Sequence, residues 1–319
     1  MTLPAPWDAV VRQVVSTALA LMVSTVVVFG AMYLAPGDTL RFLSGGRTLS
    51  PDSVADYRQQ FHLDDPFMSR YWSWLSDLAR GDFGRSMVSR TPVIDLVEPR
   101  VGSTVLLLIM ASVFMIVVGV AAGSVAGLRP GRVDGVVSAL TNAGIAIPGF
   151  VASALLVAVF AVGLGWFPAF GSGADLIDRL HHLVLPSIAL AIAGAAYVAR
   201  VTRVSVRTEM RQEHVETALS RGLPWPTVMR RHVMRNALIP VTTVAGLSIA
   251  SLVASSVVVE SAFGLDGLGS LLVSSVVAKD FAVVQAVALI LVVGFLVINL
   301  MVDMLYVVID PRLRTVAPR

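Results

Sequence analysis

Six stretches of this chain contain no Asp, Glu, Lys or Arg: 14–35, 101–128, 136–174, 183–199, 236–259 and 281–302. A hydrocarbon layer about 30 Å thick is crossed by about 20 helical residues, so each stretch can span once. The third has room for a span plus a loop. Composition agrees, with 56% hydrophobic and 14% charged residues, against about 25% charged in ordinary soluble domains. The chain is read as an all-α polytopic membrane protein with six transmembrane helices and a polar insertion after the first. The first stretch exceeds a signal-peptide core and no small-x-small cleavage pattern follows it, so it is expected to stay as an anchor.

Orientation follows from the basic residues. With the N-terminus placed inside, the short inner segments hold 14 arginines and the short outer ones only Arg179 and Lys279. The long insertion 36–100 is discounted, because long loops cross regardless of charge. Both termini are predicted to be cytoplasmic. Two parts are expected: 1–100, an anchor helix plus external loop, and 101–319, the transmembrane domain, with an inner loop over 200–236.

Within the insertion, Ser50-Pro51-Asp52 reads as a helix start, followed by Val54, Tyr57 and Phe61 at helical spacing. A second amphipathic helix is expected from Pro66 to Ala79, stopping near Gly81. Its Tyr71, Trp72 and Trp74 suit either a membrane interface or a small cap packed on its own aromatics. Pro148 lies in mid-span and predicts a kink, because it frees a backbone carbonyl. The span then ends near Gly163. Between the last two spans, Gly264, Gly267 and Gly269 lead into an apolar piece, 271–277, too short to cross.

Several chemistries are missing. No cysteine is present, which removes disulfides and thiolate chemistry. The middles of the six stretches hold no ionisable side chain, and all five histidines fall in loops. Intramembrane charges are costly and kept for function, so a proton-driven carrier and an intramembrane protease are disfavoured. A sodium-driven carrier using backbone carbonyls stays open on this ground. The only lysine, Lys279, has no P-loop around it, so the chain cannot hydrolyse ATP alone. Leu43-Ser44-Gly45-Gly46-Arg47 imitates an ATPase signature but is read as a flexible turn. Ser138, Thr141 and Asn142 put a small polar face on the third span, which serves helix packing or a pore.

The inner loop carries the most specific pattern. Residues 206–221 read as a helix with a weak apolar stripe, ended by Gly222, and a second helix starts near Pro226. Glu216-Thr217-Ala218-Leu219-Ser220-Arg221-Gly222 resembles the E-A-A-x-x-x-G motif of permease subunits of ATP-binding-cassette (ABC) importers. Downstream, His232 stands where that motif has isoleucine, and Arg231 through Pro240 resembles the variant of the dipeptide, oligopeptide and nickel group. Further matches to that group are Ala35-Pro36-Gly37-Asp38, Leu63-Asp64-Asp65-Pro66, Arg80 through Ser86, Ile147-Pro148, His182 through Pro186, Val259-Glu260, Gly267-Leu268-Gly269, and Asp303 through Arg312.

The resemblance implies a type I ABC importer permease fold and a B-type subunit in the bacterial inner membrane, surrounded by lipid. It implies a homologous C-type permease subunit, one or two ATPase subunits or a fused ATPase, and an external substrate-binding protein. No nucleic acid is involved. ATP and Mg would be bound by the partners, with no cofactor in this chain. Glu216, Thr217, Ala218, Leu219, Arg221 and Gly222 would form the coupling helix. Peptides are the expected cargo, with nickel, glutathione or haem as alternatives.

Overall fold

The computed structural model describes residues 5–34 and 65–309. The predicted helix start at Ser50 and the motifs at Ala35–Asp38 and 43–47 lie outside these. Among the described residues, eleven α-helices follow in order: α1 (Ala5–Leu34), α2 (Phe67–Ala79), α3 (Val93–Leu128), α4 (Arg132–Ala146), α5 (Gly149–Leu156), α6 (Leu176–Glu209), α7 (Glu213–Ser220), α8 (Trp225–Val228), α9 (Arg235–Phe263), α10 (Leu268–Ala278) and α11 (Phe281–Ile309). Two π-helical segments, Val157–Gly163 and Met229–Met234, continue α5 and join α8 to α9. Among the described residues, five helical segments are long and apolar enough to cross a membrane, or six if α4 with α5 and its π-helical end is counted as one broken span.

The predicted kink at Pro148 is much larger than a kink. The helix breaks at Ile147-Pro148 and its halves meet at 110°. Pro148 is extended, with ψ of 144°, and its carbonyl accepts from the Val151 and Ala152 N–H groups. The proline is therefore the N-cap of a new helix, and its carbonyl pairs two of the N–H groups that begin it.

Helix α6 is the centre of the bundle, with buried faces against α3, α4, α5 and α9. Its closest neighbour is α3, and glycine makes the approach possible. Gly119, Gly123 and Gly127, four residues apart, all face α6. A Cβ on Gly119 would lie 2.8 Å from Val198 Cβ, one on Gly123 2.6 Å from Thr202 Cβ, and one on Gly127 3.0 Å from the Arg203 carbonyl. Small residues at this spacing let two backbones touch in lipid, where packing rather than water expulsion drives association. Leu107, Ala111 and Met115 extend the contact into a core with Leu185, Ala191, Val198 and Phe263.

At the end of the bundle opposite the arginine-rich loop, α10 fills a notch between α3 and α11. Leu268 and Leu271 pack with Val93, Val97, Val283 and Val287. The short apolar piece predicted there is this helix, and it is seated in the protein. Glu260, at the end of α9, is buried and caps it. Its carboxyl group accepts from Thr104 Oγ1 at 2.7 Å and from the Gly269 N–H at 2.7 Å, while Thr104 Oγ1 accepts from the Leu268 N–H at 2.8 Å. Orphan N–H groups at a helix start are thereby paired inside the protein.

Asp280 is also buried there. It accepts from Ser86 Oγ and from the Met87 N–H at 3.1 Å, anchoring the chain that descends from the insertion. Helix α2 forms where predicted. Its aromatics lie on the first span: the Phe29 ring is 5.3 Å from Phe67 and 5.6 Å from Tyr71, and Tyr71 OH hydrogen-bonds Thr25 Oγ1 at 2.9 Å.

Candidate functional site

The arginine-rich end is built around α7. The helix predicted over 206–221 is in fact two, because α6 ends at Glu209 and a turn over 210–212 redirects the chain into α7. An apolar face of only two residues explains both the break and the docking. Val215 and Ala218 are buried in a small cluster with Val206, Val228, Val233 and Ala237. A helix this short cannot hold itself together in water, so this seat is what orders it.

On the other side, Glu213, Glu216, Thr217, Leu219, Ser220 and Arg221 are exposed. Gly222 ends the helix with φ of +75°, and its N–H donates to the Leu219 carbonyl at 2.9 Å. That left-handed turn is cheap for glycine alone. The apolar side chains of Leu219, Leu223 and Trp225 stand beside it, 42%, 38% and 47% exposed. Of the candidate coupling residues, all but Ala218 thus share one exposed surface, and Ala218 faces the protein.

A polar joint fixes α7 to the spans. His214 Nε2 lies 3.0 Å from Glu209 Oε1, which also accepts from Asn236 Nδ2 at 2.8 Å. The start of α7, the end of α6 and the start of α9 therefore meet at one carboxylate. The histidines expected in loops at 181, 182, 214 and 232 are in fact helical, and no spacing in the sequence links residues 209, 214 and 236.

The pore candidates lie along the α4–α6 seam. Thr141 is buried and donates to the Ser138 carbonyl at 3.0 Å, while Ser138 faces Asp134 and Asn142 is exposed. Asn142 Oδ1 accepts from Arg200 Nη2 at 2.6 Å. Asp134 is paired with both Arg203 and Arg207, the Arg207 Nη2 contact being 2.9 Å. Arg200, Arg203 and Arg207 share a face of α6 because it continues ten residues past the charge-free stretch 183–199. Sequence inspection took these arginines for loop charges.

Residues 119–315 match the family described as "Binding-protein-dependent transport system inner membrane component", and residues 7–108 match its N-terminal counterpart. The chain belongs to this family. It is a multi-pass inner membrane permease subunit of an ABC importer, of the peptide, nickel and glutathione group, and is a transport protein rather than an enzyme. Among similar proteins, the Glutathione transport system permease protein GsiC of Escherichia coli (strain K12) is 37% identical over 306 residues, covering 96% of this chain and 98% of that one. The protein of the same name from Shigella dysenteriae serotype 1 (strain Sd197) has the same identity and coverage.

The fold is that of type I importer permeases. A chain of the MetNI methionine ABC transporter, in an inward facing conformation, aligns with a TM-score of 0.57 at 20% identity, covering 68% of this chain and 97% of that chain. A chain of an amino acid ABC transporter aligns with a TM-score of 0.51 at 19% identity, covering 66% and 93%.

Proposed function

We propose that this permease forms, with a homologous C-type subunit, the translocation path for short peptides, and that ATPase subunits drive it through α7. An external binding protein delivers the cargo, ATP and Mg stay on the ATPases, and both termini are cytoplasmic. Residues 1–100 form the anchor and external region, and 101–319 the transmembrane domain. The observation that carries the coupling role is α7 itself. One side is seated on α6 and α9, and the opposite side, with Glu216, Arg221 and the apolar residues around Gly222, is exposed. An eight-residue helix built this way transmits a push from a partner directly to two spans, because Val215, Ala218 and His214 tie it to both.

Peptide cargo is favoured by the resemblance to the dipeptide and oligopeptide group, and the glutathione permeases that are 37% identical support a peptide as small as a tripeptide. Purification of this chain with its partners tests the reading. A second six-span chain and an ATPase should co-purify, and binding protein loaded with di- or tripeptides should stimulate ATP hydrolysis. Stimulation by nickel chelates or haem alone would reassign the cargo. Transport by the lone chain without ATP would replace the permease reading with that of a secondary carrier.

A further inference from the structure

We infer that Glu209, His214 and Asn236 are positioning residues for coupling: they fix the roll of α7 about its own axis and so set the direction in which Glu216 and Arg221 face. The inference rests on the coupling role of α7 proposed above and assigns its orientation to three side chains outside the motif over 216–222.

Three observations carry it. First, the apolar seat of α7 is a line. Val215 and Ala218, three residues apart, are its only buried residues. Such a pair lies along the helix axis within about 60° of arc. Apolar contact has no preferred direction, so this seat resists lifting more than rolling. A roll would swing the exposed side, where Glu216 stands about 130° from the middle of the buried pair.

Second, the polar joint lies off that line and is directional. His214 stands about 70° from the middle of the pair, at the edge of the seat. Its Nε2 is 3.0 Å from Glu209 Oε1, and the same oxygen accepts from Asn236 Nδ2 at 2.8 Å. Asn236 Nδ2 also donates to the His232 carbonyl at 3.1 Å, inside the π-helical segment. One oxygen thus ties α7 to the last residue of α6 and to the second residue of α9. Hydrogen bonds weaken steeply when bent, so these contacts oppose a roll that the apolar seat permits.

Third, Glu209 is poorly placed for stability alone. It is the last residue of α6, where the backbone carbonyls make a negative end that repels a carboxylate, and its side chain is only 17% exposed. A sheltered carboxylate there is unfavourable without donors. The donors it has come from α7 and α9, the elements between which a push must pass. A π-helical segment on the α9 side fits such a joint, since these segments are rare and concentrate at functional sites.

The test uses the assembled importer, with its partner permease, cysteine-free ATPases and binding protein, in lipid vesicles. Nitroxide labels on cysteines placed at Ser220 and at Val204, which is exposed on α6, report the roll of α7 through their pulsed-EPR distance distribution. The distribution should broaden in Glu209→Ala, His214→Ala and Asn236→Ala, and stay narrow in Glu209→Gln, which keeps an acceptor oxygen. ATP hydrolysed per trialanine imported should rise about fivefold in the alanine variants, the worth of one net hydrogen bond. Glu209→Gln should keep the ratio of the unaltered complex. Glu209→Ala combined with His214→Ala should raise it no further than Glu209→Ala alone, because the histidine then has no acceptor left to lose.

An unchanged distance distribution in all three alanine variants would overturn the inference and leave the coupling reading intact. Uptake and hydrolysis falling in parallel, with the ratio unchanged, would make the joint a stabilising contact only and also overturn it. If Glu216→Lys and Gly222→Val keep full stimulated hydrolysis, the coupling reading itself falls and the inference with it. If the unaltered complex imports no trialanine, the peptide reading falls, and the label distances still decide whether the joint orients α7.

Discussion

Glu260 and Gly267 compete for one volume. A Cβ built on Gly267 would lie 2.8 Å from Glu260 Oε1 and closer still to Oε2, so the carboxyl group occupies the space a side chain would need. The same carboxyl pairs the N–H groups that begin α10. Gly267→Ala should lower stability by about 1–3 kcal/mol through overpacking. Glu260→Ala should do so by a similar amount, because it leaves buried N–H groups and Thr104 without an acceptor. The double variant should cost clearly less than the two losses together, since removing the carboxyl vacates the space. Thermal midpoints of the purified complex measure this, and full additivity would show that the two residues do not share the site.

The coupling role of α7 predicts a separation of assembly from activity. Gly222→Val forces a β-branched residue to positive φ in otherwise open space, so its effect of about 1 kcal/mol or more is conformational. Glu216→Lys reverses the sign of an exposed charge. Both variants should reach the membrane in normal amounts and lose most substrate-stimulated ATP hydrolysis. Normal stimulation in both would remove the coupling assignment.

Topology can be read directly, because the chain has no cysteine of its own. A cysteine at Ser89, beside the Asp280 anchor, should react with a membrane-impermeant maleimide added to intact cells. One at Ser220, exposed on α7, should react only after the membrane is opened. The opposite pattern would invert the orientation.

The glycine row on α3 predicts a size-dependent loss. A Cβ on Gly123 meets backbone and side-chain atoms of Ala199 and Thr202, so Gly123→Ala should destabilise by about 1–3 kcal/mol. Gly123→Leu should abolish accumulation of folded protein. Gly102, with open space around it, is the control, and its change to Ala should be nearly neutral. Size-exclusion profiles of a fluorescent fusion in detergent would rank the three, and equal behaviour of Gly102 and Gly123 variants would contradict the close packing.

What could be read from the sequence follows physical locality. The charge-free stretches located the spans because lipid imposes a local rule on every residue. Helix α2, the stop at Gly222 and the discontinuity at Pro148 were legible for the same reason. The size of the break was not, since a proline signals a freed carbonyl but not the direction the chain takes next. The G-x-x-x-G spacing at 119, 123 and 127 was a usable signal that went unread.

The pairing of Asp280 with Ser86 and of Glu260 with Thr104 joins residues more than 150 positions apart, and no period in one sequence encodes such contacts. Arg200 was misjudged because the end of a charge-free run was taken for the end of a helix. In fact α6 continues to Glu209 and sets Arg200, Arg203 and Arg207 along the polar side of α4.

The glycine seam also sorts the molecule into frame and joints. Where α3 and α6 meet backbone to backbone, few side chains stand between them to change rotamer, so that pair has no alternative packing to switch into. Any rearrangement must be taken up where the chain is already bent or underwound: at Pro148, in the turn over 210–212, and in the π-helical segments 157–163 and 229–234. Two of these four, the turn over 210–212 and the segment 229–234, flank the lever α7 where it meets α6 and α9. A stroke delivered there would therefore turn outer elements about a stiff axle rather than deform the axle itself.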